Sequence, residues 1–356
     1  GRLMIFCSYT RIDNNSSFTL MNENINWNKM KKFLAVFFIV LLGVIAWQHK
    51  TILRVYQGAI GYLNNRNHTN YYRLTGNDSI QDISERLSHD LNIPLELRQP
   101  LLEKKRRIYI FKYLSDGHEV AGYLSLITTG EHPLIMFVRG GNGNFGILRP
   151  NNAFSFLDGY NVIGTLYRGN IYKGIDEFGG EDINDIENLI RFIPKLEQAS
   201  QSHLKSPIAM IGVSRGAMQM FVSLSRSSLV KGTVHKAISI SGNVDLDTTV
   251  ALRPEMKHMF EMKFKEQKKF HQFNEWLKAR NPVSLVKQLP SSLEVLLIYG
   301  LNDNRVGIQE QLHLYDMLTK NNIKTEFIKI PGATHGMDGY VDEVKKMIIG
   351  FLNSSE

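Results

Sequence analysis

The chain has 356 residues, 43% of them hydrophobic and 21% charged, the balance of a folded protein rather than a disordered or fibrous one. Its formal charge is +8, but the basic residues are scattered and no zinc-knuckle or single-strand-binding motif accompanies them, so nucleic acid is not an expected partner. The one cysteine, Cys7, excludes an intramolecular disulfide and a thiolate metal site; the histidines do not cluster at metal-ligand spacing, and neither metal nor cofactor is expected.

In chain order, residues 1–29 are polar and Asn-rich and read as a disordered or non-native leader before Met30. Lys29, Lys31 and Lys32 then precede an unbroken apolar run at 33–47. Basic followed by apolar is the pattern of an export signal, and a helix of this length spans only about 22 Å, short of the roughly 30 Å hydrocarbon core. Residues 30–49 are therefore expected to be a signal peptide or a membrane anchor. The remainder would lie outside the cytoplasm, in the periplasm if the source is bacterial. Residues 50–106 form an N-terminal extension. Within it Ser79-Ile80-Gln81-Asp82-Ile83 reads as a helix start, and Glu103 through Arg107 as a solvated turn.

Strand patterns follow at 107–114, 119–128, 134–138, 160–167, 207–211, 236–240, 294–299 and 324–330. Helical patterns lie at 181–196, 215–228, 307–321 and 338–353. This alternation predicts an α/β fold with a mostly parallel sheet, helices on both faces and the first strands antiparallel at one edge. The strand at 134–138 runs into Arg139-Gly140-Gly141-Asn142-Gly143-Asn144. Glycines there let backbone N–H groups approach a substrate oxygen, and neither a P-loop ending nor a G-x-G-x-x-G helix start is present. Between about 243 and 290 the alternation breaks. Phe260, Phe264, Phe270, Phe273 and Trp276 recur near helical spacing there, predicting a helical cap whose aromatics pack it on the core, with one or two of them reaching substrate as an apolar roof over the site as the alternative.

Gly212-Val213-Ser214-Arg215-Gly216 falls between a strand and a helix. In that context G-x-S-x-G is a nucleophile elbow, a sharp turn that exposes a serine hydroxyl at a helix N-terminus. Asp303 follows the strand at 294–299, and His335 follows the strand at 324–330. Each of the three lies just past a strand's C-terminal end, where open α/β sheets build their sites. Their order, Ser, Asp, His, is that of α/β-hydrolases. Asp338 is the rival acid.

From residue 107 onward the chain resembles the catalytic domain of the prolyl oligopeptidase family of serine peptidases. Glu119 through Leu124 is similar to that family's opening strand, Gly140-Gly141 to its oxyanion loop, and Tyr167-Arg168-Gly169-Asn170 to the turn after its second strand. Gly180-Glu181-Asp182 resembles the acidic helix start before the nucleophile strand, Asn281-Pro282-Val283-Ser284 the segment before the acid strand, and Asp303-Asn304-Arg305-Val306 the acid motif. The resemblance implies the α/β-hydrolase fold and a serine hydrolase acting on an ester, a thioester or a short peptide through an acyl-enzyme. Ser214 would be nucleophile, His335 base and Asp303 its orienting acid. Arg139 stands where many members carry Tyr or His, so the implied oxyanion donors are the backbone N–H groups of Arg215 and Gly141. Family peptidases usually carry an N-terminal β-propeller, and the residues before 107 are too few for one at roughly 40–50 residues per blade. The expected substrates are therefore small, with esters cleaved faster than amides. A prolyl-oligopeptidase-like peptidase and a non-catalytic binding protein on the same fold are the alternatives. Oligomeric state stays open.

Overall fold

The structure is a computed structural model that describes residues 36–38, 41, 67–142, 150, 152–267 and 269–354. The leader at 1–29 and most of the apolar run at 33–47 lie outside them. No helix among the described residues is long and apolar enough to cross a membrane. The chain divides into two compact units, Gly1–Gly58 and Ala59–Glu356, and every described strand belongs to the second.

Nine described strands form one sheet. They are β1 (Ile80–Asp82), β2 (Arg106–Ser115), β3 (His118–Ile127), β4 (Leu134–Val138), β5 (Asn161–Thr165), β6 (Ala209–Val213), β7 (Lys236–Ile240), β8 (Glu294–Gly300) and β9 (Lys324–Ile330). Their spatial order is β1-β2-β3-β5-β4-β6-β7-β8-β9. The pairs from β1 through β3 to β5 are antiparallel, and all later pairs are parallel. The central strands are almost wholly buried and mostly apolar because both faces are covered. Alternate residues serve alternate faces: Leu134, Met136, Val138 and Met210 enter one core layer, and Ile135, Phe137, Ala209 and Ile211 the other. β9, at the edge, alternates and carries Lys324 and Lys329, which suits an unpaired rim.

The helices are α1 (Ser84–Ser88), α2 (Leu95–Leu102), α3 (Asn184–Ser200), α4 (Arg215–Arg226), α5 (Ser228–Thr233), α6 (Leu246–Leu252), α7 (Pro254–Glu266), α8 (Phe273–Lys278), α9 (Pro282–Leu285), α10 (Ile308–Lys320) and α11 (Val341–Asn353). α3, α4 and α10 cover one face of the sheet through Leu189, Phe221 and Leu314, and α11 covers the other through Val344 and Ile348. α3 is preceded by a 3-10 turn at Glu181–Ile183, and α11 begins only after the turns that carry His335.

Two expectations are corrected, and one pair of alternatives is decided. Ser79–Ile83 does not start a helix: Ile80, Gln81 and Asp82 pair with Phe111, Ile110 and Tyr109, and the helix begins at Ser84. Arg106 is not solvated. It opens β2 with its side chain turned inward, 6% exposed, donating to the carbonyls of Leu157, Tyr160 and Ser155. In the 243–290 segment the aromatic series takes the first of its two expected roles, packing the cap on the core, rather than that of a roof. Phe260 and Trp276 are fully buried among Phe178, Met218 and Val222, so the series glues α7 and α8 to α4. Helical spacing identified a stripe but not which neighbour it faces.

Candidate active site

Ser214 sits between the end of β6 and the start of α4, with φ 54° and ψ −122°. Such a conformation costs a non-glycine residue about 1–3 kcal/mol and persists only when its surroundings over-determine it. Here they do. The Ser214 N–H donates to the Ile240 carbonyl at 2.9 Å, and its own carbonyl receives the N–H groups of Ala217 and Asn243, each at 3.1 Å. The flanking glycines are demanded by contact. A Cβ on Gly216 would lie 1.9 Å from the Val138 carbonyl oxygen, and one on Gly212 would lie 2.5 Å from Ala217 Cα. Arg215 is the first residue of α4, so its N–H is one of the donors a helix leaves unpaired in its first turn.

β8 and β9 deliver the other two residues. The Leu301 N–H donates to the Ile330 carbonyl, and the Asn302 N–H to the Ala333 carbonyl, lacing the two loops together. His335 Nδ1 lies 2.8 Å from Asp303 Oδ2, with side-chain exposures of 14% and 0%. Asp303 Oδ1 accepts the backbone N–H groups of Arg305 at 2.7 Å and Val306 at 3.0 Å. Burial alone would raise the Asp303 carboxyl. The His335 hydrogen bond and charge, with the two N–H donors, outweigh it and hold the group below the usual carboxylate range. Asp338 is exposed and instead accepts the Thr334 hydroxyl at 2.7 Å.

The Ser214 hydroxyl points to Asn243 Oδ1 at 3.4 Å; among the described residues it makes no hydrogen bond to His335. The structure thus joins Asp303 to His335 and leaves the serine turned to Asn243. Asn243 lies just past β7, is 4% exposed, and its Nδ2 has no partner among the described residues.

The loop after β4 reaches the serine directly. A Cβ on Gly140 would stand 3.1 Å from Ser214 Cβ and 2.8 Å from the Val213 carbonyl oxygen. Gly141 has φ +78°, a conformation that glycine adopts without strain. The Arg139 side chain is buried and donates to Gly140 O at 2.9 Å and Leu166 O at 3.2 Å. The Arg215 guanidinium donates to Gly141 O at 3.1 Å and forms ion pairs with Asp176 at 2.5 Å and Asp182 at 2.8 Å. Burial works to lower Arg215, and the Asp176 and Asp182 carboxylates more than reverse it. The cap joins the same network: Lys263 on α7 donates to the Asp176 carbonyl at 2.6 Å, and Asn142 Nδ2 approaches Met259 Sδ at 3.4 Å. Sequence reasoning singled out the backbone N–H groups of Arg215 and Gly141 as donors, but not these side chains. Both arginines sit inside the quoted motifs, yet nothing local says where their guanidiniums go.

A parallel sheet with an antiparallel edge, a serine at a strained strand-to-helix turn and a buried acid–imidazole pair past the last two strands together define an α/β-hydrolase. Residues 159–354 match the prolyl oligopeptidase family, and the chain belongs to it. Ser214, Asp303 and His335 lie inside that match, whereas the loop at 139–142 precedes it. Acylamino-acid-releasing enzyme 1 of Oryza sativa subsp. japonica is 23% identical over 244 residues, which is 63% of this chain and 30% of that protein. The acylaminoacyl peptidase of Pyrococcus horikoshii superimposes with a TM-score of 0.57 at 21% identity, covering 72% of this chain and 44% of that one. A puromycin-hydrolyzing peptidase of Mycobacterium tuberculosis gives a TM-score of 0.52 at 19% identity, covering 67% and 38%. The chain spans less than half the length of each of these relatives, and at such identities the two superpositions show a shared fold.

Proposed function

We propose that this chain is a serine hydrolase that cleaves short peptides through an acyl-enzyme. Ser214 attacks the carbonyl, and His335 takes its proton and later delivers it to the leaving amine. Asp303 fixes the ring tautomer and stabilises the imidazolium, and water then releases the acyl group. The observation that carries this reading is the His335–Asp303 pair at 2.8 Å together with a serine held at φ 54° at the strand-to-helix turn. Proton transfer requires the Ser214 hydroxyl to leave Asn243 and turn to the imidazole. Catalytic hydrogen bonds are often loose until substrate arrives.

Peptides are favoured over esters by the family, and by the rice and Pyrococcus relatives, whose names declare action on acylated amino acids. The expected preference for esters has no such support, and the apolar roof that went with it is not formed by Phe260 and Trp276, which are core. A fluorophosphonate is expected to label the protein once, at Ser214, and Ser214→Ala to remove the label while leaving the melting temperature near that of the wild type. Labelling elsewhere, or none, would sink the hydrolase reading. A panel of N-acylated and free aminoacyl anilides and p-nitrophenyl esters then chooses the substrate, and turnover confined to esters would overturn the peptide assignment.

We also propose that the basic-apolar segment at 30–49 places the hydrolase outside the cytoplasm. A reporter fused after residue 60 and active only inside the cell would refute this.

A further inference from the structure

Three consecutive carbonyls in the loop after β4 are each captured by a different side chain. The Tyr167 hydroxyl donates to Arg139 O at 2.9 Å, Arg139 Nη1 to Gly140 O at 2.9 Å, and Arg215 Nη1 to Gly141 O at 3.1 Å. The three captors form one cluster. Both guanidiniums lie over the Tyr167 ring, 5.2 Å and 4.9 Å from its centroid. No described peptide bond is cis. In a planar trans peptide the C=O of one residue opposes the N–H of the next. Capture of Gly140 O therefore aims the Gly141 N–H, and capture of Gly141 O aims that of Asn142. This happens where Gly140 packs against Ser214 Cβ.

We infer that Arg139 is a positioning residue: its guanidinium, stacked with that of Arg215 on Tyr167, locks the 140–142 peptide planes so that the Gly141 N–H faces the oxyanion formed at Ser214. The inference rests on the hydrolase reading of Ser214. It gives Arg139 a role unlike that of a side-chain oxyanion donor, because its Nη1 is spent on the backbone. The fork of the guanidinium explains the residue type. One planar group reaches both Gly140 O and Leu166 O, tying the loop to the end of β5, which a lysine point charge cannot do. Arg139 is 1% exposed, so no bulk water replaces those donors once they are removed. Burial, reinforced by the neighbouring Arg215 charge, pushes its guanidinium down to about 10, which leaves it cationic at neutral pH.

The test compares full-length wild type, Arg139→Met and Arg139→Lys. It uses kcat and KM on a cleaved peptide, and binding of a peptide aldehyde against the matching peptide alcohol. The aldehyde adds to Ser214 and places an oxyanion in the hole, whereas the alcohol does not. Loss of one oxyanion donor costs roughly 10²–10³ in kcat. Arg139→Met is therefore expected to lower kcat by roughly that factor with KM little changed. Aldehyde affinity should fall by the factor lost in kcat/KM, and alcohol affinity should stay constant. Arg139→Lys should recover part of the loss. Retained kcat, a change confined to KM, or equal losses for aldehyde and alcohol would overturn the inference. If Arg139→Met does not fold, the same split in Arg139→Lys decides. A wild type that neither turns over peptide nor reacts at Ser214 overturns the hydrolase reading and this inference with it; an active wild type with an unaffected variant overturns this inference alone.

Discussion

Two carboxylates flank the His335 loop, and only Asp303 reaches the imidazole. Its two oxygens have separate tasks, one on the Arg305 and Val306 N–H groups and one on the ring. Asp303→Asn preserves the size but turns an acceptor into a donor. His335 Nδ1 must then accept, the proton moves to Nε2, and the ring cannot take the serine proton. Turnover is expected to fall by about 10⁴-fold, the magnitude seen for this change in serine proteases, with the fold retained. Asp338→Asn should cost little, since that exposed carboxylate accepts the Thr334 hydroxyl and not the imidazole. Steady-state rates of the two variants check this, and a mild Asp303→Asn beside a damaging Asp338→Asn reverses the assignment. At this scale the sequence was informative about residues tied to a local motif, namely Ser214, Asp303 and His335. Asn243 and Asp176 were silent, and Tyr167 entered only as part of a turn motif, because no local pattern marks the contacts they make.

Among the elements, the strand ends were legible because apolar runs between turns have clear limits, and β4, β7 and β9 fall where the pattern put them. The faces of the helices were less legible: helical spacing of the cap aromatics left core packing and substrate contact both open. α10 hides a further case. Glu310, 1% exposed, accepts the Val244 N–H at 3.3 Å, just behind the Asn243 that receives the Ser214 hydroxyl. Burial raises its carboxyl to about 8 despite the lowering by the Thr249 hydroxyl, nearby N–H groups and the Arg253 charge. An unfolded glutamate releases its proton near about 4.3. Between those values the folded state binds more protons than the unfolded one, so this group's contribution to stability declines as pH rises. Glu310→Gln removes that decline. The melting-temperature difference between variant and wild type should therefore shift in the variant's favour from pH 5 to pH 8.5. A difference that does not move with pH would contradict a buried, proton-binding Glu310.

At the level of the whole molecule, the family resemblance begins near residue 107, yet the fold begins earlier. Tyr72, Ile83, Leu87, Ile93 and Leu101 form a single cluster with Ile108, Ile110, Tyr123, Phe156 and Leu166. β1 caps the edge of β2 through Ile80 opposite Phe111. This was not legible in the sequence, because a three-residue strand and helices of five and eight residues are shorter than the windows in which periodicity speaks. The energetic consequence is large. Each fully buried aliphatic or aromatic side chain contributes about 1.5–3 kcal/mol, so the five from residues 72–101 together approach the roughly 5–15 kcal/mol that separates a folded domain from its unfolded chain. Removing residues 67–102 would also bare the other side of that cluster, Ile108, Ile110 and Tyr123, and leave β2 as an open edge. The shortened chain is expected to lose its cooperative thermal transition and to aggregate, although Ser214, Asp303 and His335 are all still present. A native-like melt and retained fluorophosphonate labelling in that chain would show instead that the sheet closes at β2, with residues 67–102 a dispensable cover.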